Sequence, residues 1–326
     1  FHVELMLALL VCALSWAYGV RRIQRWLAGP TTGQEVRIVA VQPAVPQVKK
    51  WPEGYGHEIY RGLADLTELA AIGASDLIVW PETALPFYPR RDDLLKPVSD
   101  FVDSRTTVLL SGAPWFEVEQ NGGERLVRYF NGALLMKPGA GFDFGYFKSH
   151  LVPYGEYVPL KKYLPFLAPL VEAAGDFTPG IVGEPLKAGP VRAGVLICFE
   201  SIFPDLGRAW VESGANMLVN LTNDAWYGKS SAPHQSWAMT VYRSVETRRS
   251  LVRSANTGIS GFIDPLGRVL SESDLFVEWA AALAVPLLDG ETYFVRAGYR
   301  FAPICGAAAV VLIIVSLRRR NRGAHR

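Results

Sequence analysis

The chain has 326 residues, with 33 Lys and Arg against 31 Asp and Glu and a net charge of +2. That balance excludes the strongly basic field of a nucleic-acid binder, and the length suits one large domain plus extra segments. Half of the residues are hydrophobic and the mean hydropathy is +0.15, high for a chain that lies wholly in water.

The chain opens inside an apolar segment with no initiator Met, which reads as a piece of a longer protein. Leu5 to Val20 is apolar and uncharged, and Arg21, Arg22 and Arg25 follow it. A secretory signal carries its charges ahead of the apolar run and ends in a small-residue cleavage site, so a membrane span fits better. Residues 1–28 are read as that span with its flank, 29–34 (GPTTGQ) as a linker and 35–290 as one domain. Phe301 to Leu317 is a second uncharged apolar stretch, closed by Arg318, Arg319 and Arg320. Residues 291–317 are read as the C-terminal span with its flank, and 318–326 as a basic tail. Arg21, Arg22, Arg25, Arg296 and Arg300 flank the domain side, while Arg318, Arg319, Arg320, Arg322 and Arg326 flank the tail side. The positive-inside rule therefore gives a tie.

Inside the domain, Val36 to Gln42 alternates and predicts a strand. Pro43 and Pro46 break it, and Lys49-Lys50-Trp51-Pro52 reads as a loop. Tyr55 to Ile72 carries Ile59, Leu63, Leu66 and Ala70 at helical spacing, with Gly73 as its C-cap. Asp76 to Trp80 predicts a buried strand that runs into Pro81-Glu82-Thr83. Asp92 to Ser104 predicts a helix despite Pro97, and Thr107 to Ser111 a strand. Leu126–Met136 and Phe142–Lys148 flank a Pro138–Gly141 turn as a hairpin. Ser149 to Val158 reads as an ordered loop. Leu160 to Ala174 has two readings, a loop touching the bilayer or a buried helix. Asn216 to Thr222 predicts a strand that Asn223-Asp224-Ala225-Trp226 leaves. Ser236 to Ser250 predicts a helix, and Ser250–Ser254, Gly261–Asp264 and Glu278–Pro286 strands. Strands alternating with helices indicate an α/β domain.

The most informative stretch is Val191 to Asp205. Ala193 to Ile197 reads as a fully buried strand that stops at Cys198. A helix follows from Pro204 to Ser213, with Ser201 as its N-cap and Pro204 in the first turn. Backbone N–H groups converge at such a turn, lowering a thiol pKa and holding an oxyanion. The competing reading of Cys198 is a small packed apolar residue. Cys12 and Cys305 lie inside the apolar spans, so Cys198 has no disulfide partner in the domain. The five histidines show no zinc-type spacing, and neither a metal nor another cofactor is expected.

Glu82 follows a buried strand, Lys148 follows the hairpin and Cys198 follows a buried strand. Taken singly these are a cap, a strand-end charge and a core residue. Together they are a thiol, a carboxylate to take its proton and a cation to hold an oxyanion. The blocks around them carry a resemblance: Trp80-Pro81-Glu82-Thr83, Tyr146-Phe147-Lys148 with Leu151 to Leu160 (LVPYGEYVPL), Ile197-Cys198-Phe199-Glu200 and Thr222 to Gly228 (TNDAWYG). They resemble the nitrilase (carbon–nitrogen hydrolase) superfamily and, more narrowly, its membrane branch, the apolipoprotein N-acyltransferases.

The resemblance implies an α–β–β–α sandwich flanked by transmembrane helices. It implies Glu82 as general base, Cys198 as nucleophile, and Lys148 with the Phe199 backbone N–H as oxyanion donors. Glu156 and Glu200 match supporting carboxylates, Trp51 a tryptophan of a loop over the cleft, and Trp226 one near the pocket. Tyr154, Tyr157, Tyr227 and the Leu164–Leu170 stretch fit an apolar cleft lining. Phe199 stands where the family has Tyr, and Ser236 where it has His. The implied reaction moves an acyl chain from a phospholipid, through a thioester on Cys198, to the N-terminal amine of an apolipoprotein. The implied partners are phospholipid, apolipoprotein and bilayer, with no nucleic acid. The implied state is a monomer in the bacterial inner membrane, its catalytic domain outside. A membrane-anchored amidase with the same three residues is the alternative.

Overall fold

A computed structural model describes residues 2–28, 33–50, 54–89, 92–121, 124–159 and 176–323. The expectations for Trp51 and for the Leu164–Leu170 stretch fall outside these residues. Helix α1 (His2–Ala28) is followed by β1 (Glu35–Gln42), the short α2 (Gln47–Lys50) and α3 (Gly56–Ala70). Then come β2 (Leu77–Val79), α4 (Asp92–Arg105), β3 (Val108–Asn121), β4 (Glu124–Lys137) and β5 (Gly141–Phe147). The second half holds β6 (Leu186–Ala188), β7 (Val191–Ile197), α5 (Pro204–Glu212), β8 (Met217–Thr222), α6 (Ala232–Thr247) and β9 (Ser250–Ala255). It ends with β10 (Gly261–Ile263), β11 (Val269–Glu272), β12 (Trp279–Pro286), α7 (Tyr293–Ala297) and α8 (Phe301–Gly323).

The strands form two six-stranded sheets, ordered β12-β1-β2-β3-β4-β5 and β11-β10-β9-β8-β7-β6. In each sheet three neighbouring strands run parallel, β1-β2-β3 in one and β7-β8-β9 in the other, and antiparallel strands flank them. Both faces of the parallel strands are covered, which is why their sequences are continuous apolar runs. Period-2 alternation along β1 divides its residues. Val39 and Val41 pack with Ile59 and Leu63 of α3 and Val98 and Val102 of α4. Ile38 and Ala40 belong to the core between the sheets, with Val195, Ile197, Leu218 and Val252. Trp210 of α5 is fully buried against β7, where a Cβ at Gly194 would stand 2.6 Å from its own. The result is the α–β–β–α sandwich, and the two-strand-faced burial contributes ~1.5–3 kcal/mol for each large side chain.

β1 and β12 pair along their whole length, from Glu35 with Pro286 to Gln42 with Trp279. The Leu287 N–H donates to the Gln34 carbonyl at 2.9 Å, and Gly33 lies so close to the Leu287 carbonyl that no Cβ would fit. Beyond this seam, α7 docks on the domain. The Arg208 Nε donates to the Val295 carbonyl at 2.7 Å, and the Thr292 hydroxyl donates to the Glu246 carbonyl at 2.6 Å. The stretches Val3–Leu27 and Phe301–Arg318 are long and apolar enough to cross a membrane, and none of their side chains is buried. Exposed apolar walls of this size need a bilayer, and the chain is membrane-associated.

Several details differ from the sequence reading. Ser201 does not cap α5. It lies in a 3-10 turn over Cys198–Ile202, its hydroxyl donating to the Cys198 carbonyl at 3.2 Å, and Phe203 takes the cap position. Lys49 and Lys50 are helical rather than loop. Helix α3 stops at Ala70 with Ala71 as C-cap, and Gly73, at φ +91°, belongs to the turn after it. Strand β3 continues ten residues past Ser111 to Asn121 and forms a second hairpin with β4. Pro114 obscured it in the sequence. β2 covers β3 only along Val108–Leu110, so Pro114 faces no strand on that side and its missing N–H removes no ladder bond. The short strands β6 and β11 were also not foreseen. Helix α6 begins at Ala232, four residues before Ser236.

Candidate active site

Glu82 stands one turn after β2. Its neighbour Thr83 has φ +49°, and the backbone of β3 presses on this turn: the Gly112 N–H donates to the Pro81 carbonyl at 3.1 Å. A Cβ at Gly112 would lie 2.5 Å from the Thr83 nitrogen and 2.7 Å from the Glu82 Cα, so only glycine allows this approach. Cys198 itself has φ +53°, an uncommon conformation for a residue with a Cβ. It is held by the fully buried Glu200, whose Oε2 accepts from the Ile197 N–H at 2.8 Å. The other oxygen of Glu200 accepts from Tyr146 Oη at 2.7 Å, from the Ser149 N–H at 2.8 Å and from the His150 N–H at 2.9 Å. Glu200 thus ties the Cys198 turn to the residues that follow Lys148.

Lys148 comes at the end of β5 and is 1% exposed. Its Nζ donates to Glu156 Oε1 at 2.8 Å and stands equally close to Oε2. Asn131 of β4 binds the two carboxylates together: its Nδ2 donates to Glu82 Oε1 at 2.7 Å and to Glu156 Oε1 at 3.2 Å. The Val152 N–H donates to Glu156 Oε2 at 2.9 Å, fixing the loop that carries Glu156. From the other side, Lys50 of α2 donates from Nζ to the Glu82 carbonyl at 3.0 Å.

These groups share one electrostatic environment. Burial pushes the Glu82 carboxyl above its ordinary range and Glu156 adds to this, while Lys148, Asn131 and Lys50 oppose it. Burial, reinforced by the Glu82 charge, pushes the Cys198 thiol up to about 12 against the pull of Lys148 and the Thr222 side chain, so the lowering expected from the strand-to-helix turn is overridden by desolvation. Burial pulls Lys148 down, but Cys198, Glu82 and Glu156 together outweigh it and leave it above the usual lysine value. Burial lowers Lys50 to about 8, only partly offset by Glu82 and Cys198. The site therefore holds a protonated thiol beside a carboxylate of raised basicity and a permanently charged amine. That set can form a thiolate only as Glu82 takes the proton, and Lys148 stands ready for developing negative charge.

The structure brings Glu82, Lys148, Cys198, Glu156 and Glu200 together. Phe199 is partly buried and packs edge-on against Phe203, at 5.1 Å between ring centroids. Tyr154 and Trp226 stand 65% and 75% exposed, outside the charged cluster. Tyr227, one residue on, is the aromatic coupled to the thiol: burial raises its phenol and the Cys198 charge adds to that. Lys50, Asn131 and Thr222 were not foreseen as site residues. Two polar residues inside buried strands, Asn131 in β4 and Thr222 at the end of β8, are the kind of signal that could have found them.

Comparison with known proteins agrees with this fold. The carbon–nitrogen hydrolase family model matches residues 40–289. A protein of Geobacter metallireducens named apolipoprotein N-acyltransferase is 41% identical over 98% of this chain, which covers 60% of that relative. Proteins of the same name from Methylococcus capsulatus and Pseudomonas aeruginosa are 34% and 32% identical over 90% and 99% of the chain, which covers 56% and 61% of them. The chain thus spans about three fifths of the length of these relatives. Among solved structures, a mutant amidase from Nesterenkonia sp., with an acetamide moiety added covalently at its active-site cysteine, superposes with a TM-score of 0.57 at 19% identity. The match covers 79% of this chain and 93% of the amidase. A carbon–nitrogen hydrolase from Helicobacter pylori has the same fold at a TM-score of 0.54 and 17% identity, over 77% of this chain and 89% of that one. With the family model matching most of its length and the fold agreeing, the chain belongs to the carbon–nitrogen hydrolase family.

Proposed function

We propose that this chain carries the catalytic domain of an N-acyltransferase that works through a thioester on Cys198. The observation that supports it most is the convergence of Glu82, Lys148 and Cys198 from three separate elements into one coupled cluster. In the first half-reaction Cys198 Sγ attacks the ester carbonyl of a phospholipid while its proton passes to Glu82. The oxyanion is held by Lys148 and the Phe199 N–H. The C–O bond then breaks, Glu82 returns the proton to the leaving oxygen, and lysophospholipid departs. In the second half the α-amine of an apolipoprotein's N-terminal diacylglyceryl-cysteine attacks the thioester. Glu82 takes the amine proton, the C–S bond breaks, and the thiolate recovers that proton as the amide leaves. No cofactor enters either half.

Glu156 holds Lys148 in place, and Glu200 holds the Cys198 turn. The exposed Tyr154 and Trp226 suit a cleft mouth where a lipid enters, and Trp51 is proposed for the same lining. An acyltransferase must keep water from the thioester until an amine arrives, which an apolar mouth favours. We place the domain outside the bacterial inner membrane as a monomer, between its two spans. The relatives' name, apolipoprotein N-acyltransferase, supports N-acylation and the acceptor named here.

The test is a time course of acyl-enzyme with phospholipid vesicles, using the full-length protein. A hydroxylamine-labile acyl adduct on the Cys198 peptide is expected, stable with phospholipid alone and discharged quickly by a diacylated N-terminal Cys peptide, which gains an amide. Rapid decay to free fatty acid, unchanged by the peptide, would favour an amidase-like hydrolase. An active enzyme with unmodified Cys198 would sink the mechanism.

A further inference from the structure

The mechanism above uses one lysine, but among the described residues the site contains two. Lys50 is 4% exposed, lies on α2 and is separated by 32 positions from the residue it touches. Its one hydrogen-bond partner among the described residues is the main-chain carbonyl of Glu82, at 3.0 Å. A buried ammonium normally takes a carboxylate partner, because one carbonyl dipole cannot replace its hydration. Lys148 has such a partner in Glu156. Among the described residues Lys50 has none, and the acidic groups that bear on it are the Glu82 side chain, from the turn after β2, and the Cys198 thiol, from the turn after β7. Behind these stand Lys148 and Glu156 on the Glu82 side and Asp224 on the Cys198 side.

The geometry points to Lys50 as a positioning residue for the proposed acyl transfer: it seats the Glu82 turn through the carbonyl and, when protonated, supplies a second positive charge that holds Glu82 ionised as the base and stabilises the Cys198 thiolate once it forms. This rests on the Glu82–Lys148–Cys198 reading and deepens it. The two amines differ in kind. Lys148, surrounded by three acidic groups, keeps its charge, whereas Lys50, with a proton affinity brought down to about 8, can lose it near neutral pH. The site would then carry a fixed cation and a removable one. Below about pH 8 both favour the thiolate and the tetrahedral oxyanion; above it the Lys50 contribution fades.

The sign gives a test that needs no lipid. Alkylation of Cys198 by iodoacetamide, read on its own peptide so that Cys12 and Cys305 do not interfere, reports thiolate formation as a function of pH. Replacing Lys50 with Met keeps the length of the side chain and removes the charge. In K50M the alkylation rate is expected to fall about tenfold below the Lys50 titration, since losing one nearby charge shifts a thiol by roughly one unit. The gap should close above it, where the wild-type amine is already neutral. Lys50→Arg, with a charge that does not titrate, should restore much of the rate below the titration and keep it above.

Superimposable wild-type and K50M profiles would overturn the inference. So would a loss of equal size at every pH that Arg does not repair, which would mean simple packing. The parent reading is judged separately by acylation of wild-type Cys198 with phospholipid vesicles. If alkylation depends on Lys50 but no acyl adduct forms, the electrostatic pairing stands and the acyltransferase reading falls.

Discussion

The two turns that meet at the site do the same job by different means. Both follow a buried parallel strand and both contain a non-glycine residue with positive φ, Thr83 in one and Cys198 in the other. The Glu82 turn is held by main chain: Trp80 N–H to the Leu110 carbonyl at 2.9 Å, Leu85 N–H to the Gly112 carbonyl at 3.2 Å, and the bare Gly112 against it. The Cys198 turn is held by side chains, the Glu200 carboxylate on the Ile197 N–H and Asn220 Nδ2 on the Leu196 carbonyl at 2.9 Å. A turn clamped mainly by backbone depends little on any one side chain, Lys50 at the Glu82 carbonyl apart, but tolerates no added methyl. A turn clamped by a buried carboxylate behaves the other way, because its donors become orphans when the carboxylate goes.

The strongest way to break that contrast is Glu200→Ala. It strands the N–H groups of Ile197 and His150, each at ~1–3 kcal/mol, and leaves the Tyr146 hydroxyl and the Ser149 N–H only their bonds within the Tyr146–Ser149 pair. Summed, this is a large share of the ~5–15 kcal/mol that holds a typical domain together. Thermal unfolding by tryptophan fluorescence should show a collapse of the transition, or no folded protein, whereas Glu200→Gln, which keeps an acceptor oxygen, should fold with a modestly lower midpoint. A Glu200→Ala protein that melts like wild type would end the contrast.

Next in size is Lys148→Arg, which keeps the charge between the two turns but replaces a compact ammonium with a planar fork. Acyl-enzyme formation should drop roughly 10²–10³-fold, the usual effect of losing an oxyanion donor. Near-normal acylation would reduce Lys148 to a partner for Glu156.

Gly112→Ala sharpens the backbone half of the comparison. The methyl collides with main-chain atoms that cannot rotate away, for a cost of ~1–3 kcal/mol. It should also displace Glu82 and slow acylation while leaving Cys198 alkylation by a small reagent closer to normal. Equal loss in both assays would show that the two turns move as one.

The smallest effect concerns stability. Burial raises Glu82 above its unfolded value, so the folded state prefers the protonated carboxyl. The stabilisation from that proton is fully present below the ordinary carboxylate range and is lost as pH rises through the raised value. Glu82→Gln, which never ionises, should therefore be inactive yet somewhat more stable than wild type at neutral pH, the difference vanishing in acid. Melting curves across that range check the sign, and a variant less stable at neutral pH than in acid, relative to wild type, would reverse it.

The buried strands, and the reactive residues at their ends, were legible because an apolar run that stops abruptly leaves its next side chain at a sheet edge. That logic put Glu82 and Cys198 just past strand ends, where the structure has them. It could not place Asn131 and Lys50, which reach Glu82 from 49 and 32 residues away. No local pattern encodes such a contact. Ser201 was misread for a related reason. A serine before a proline looks like a cap, but the positive φ of Cys198 starts a tight turn first, and that turn uses the serine hydroxyl inwardly. Trp226 and Tyr227 are adjacent in one 3-10 turn, so one faces out when the other faces the thiol. Sequence alone had no means of choosing between them.

The pairing of β1 with β12 also has a mechanical side. Glu35 and Pro286 are register partners, so the links toward α1 and α8 leave the domain from the same end of one antiparallel pair. Tension between the two anchors would open that pair like a zipper, one rung at a time from the Leu287–Gln34 bond, rather than shearing all rungs together. On the C-terminal side α7 intercepts the load first, through the Arg208 and Thr292 bonds and the fully buried Val295. On the N-terminal side the pull meets the seam at Gln34. The domain is thus latched on the α8 side and peelable on the α1 side, so a pull between the two apolar helices would strain β1 before any element that carries Glu82, Lys148 or Cys198.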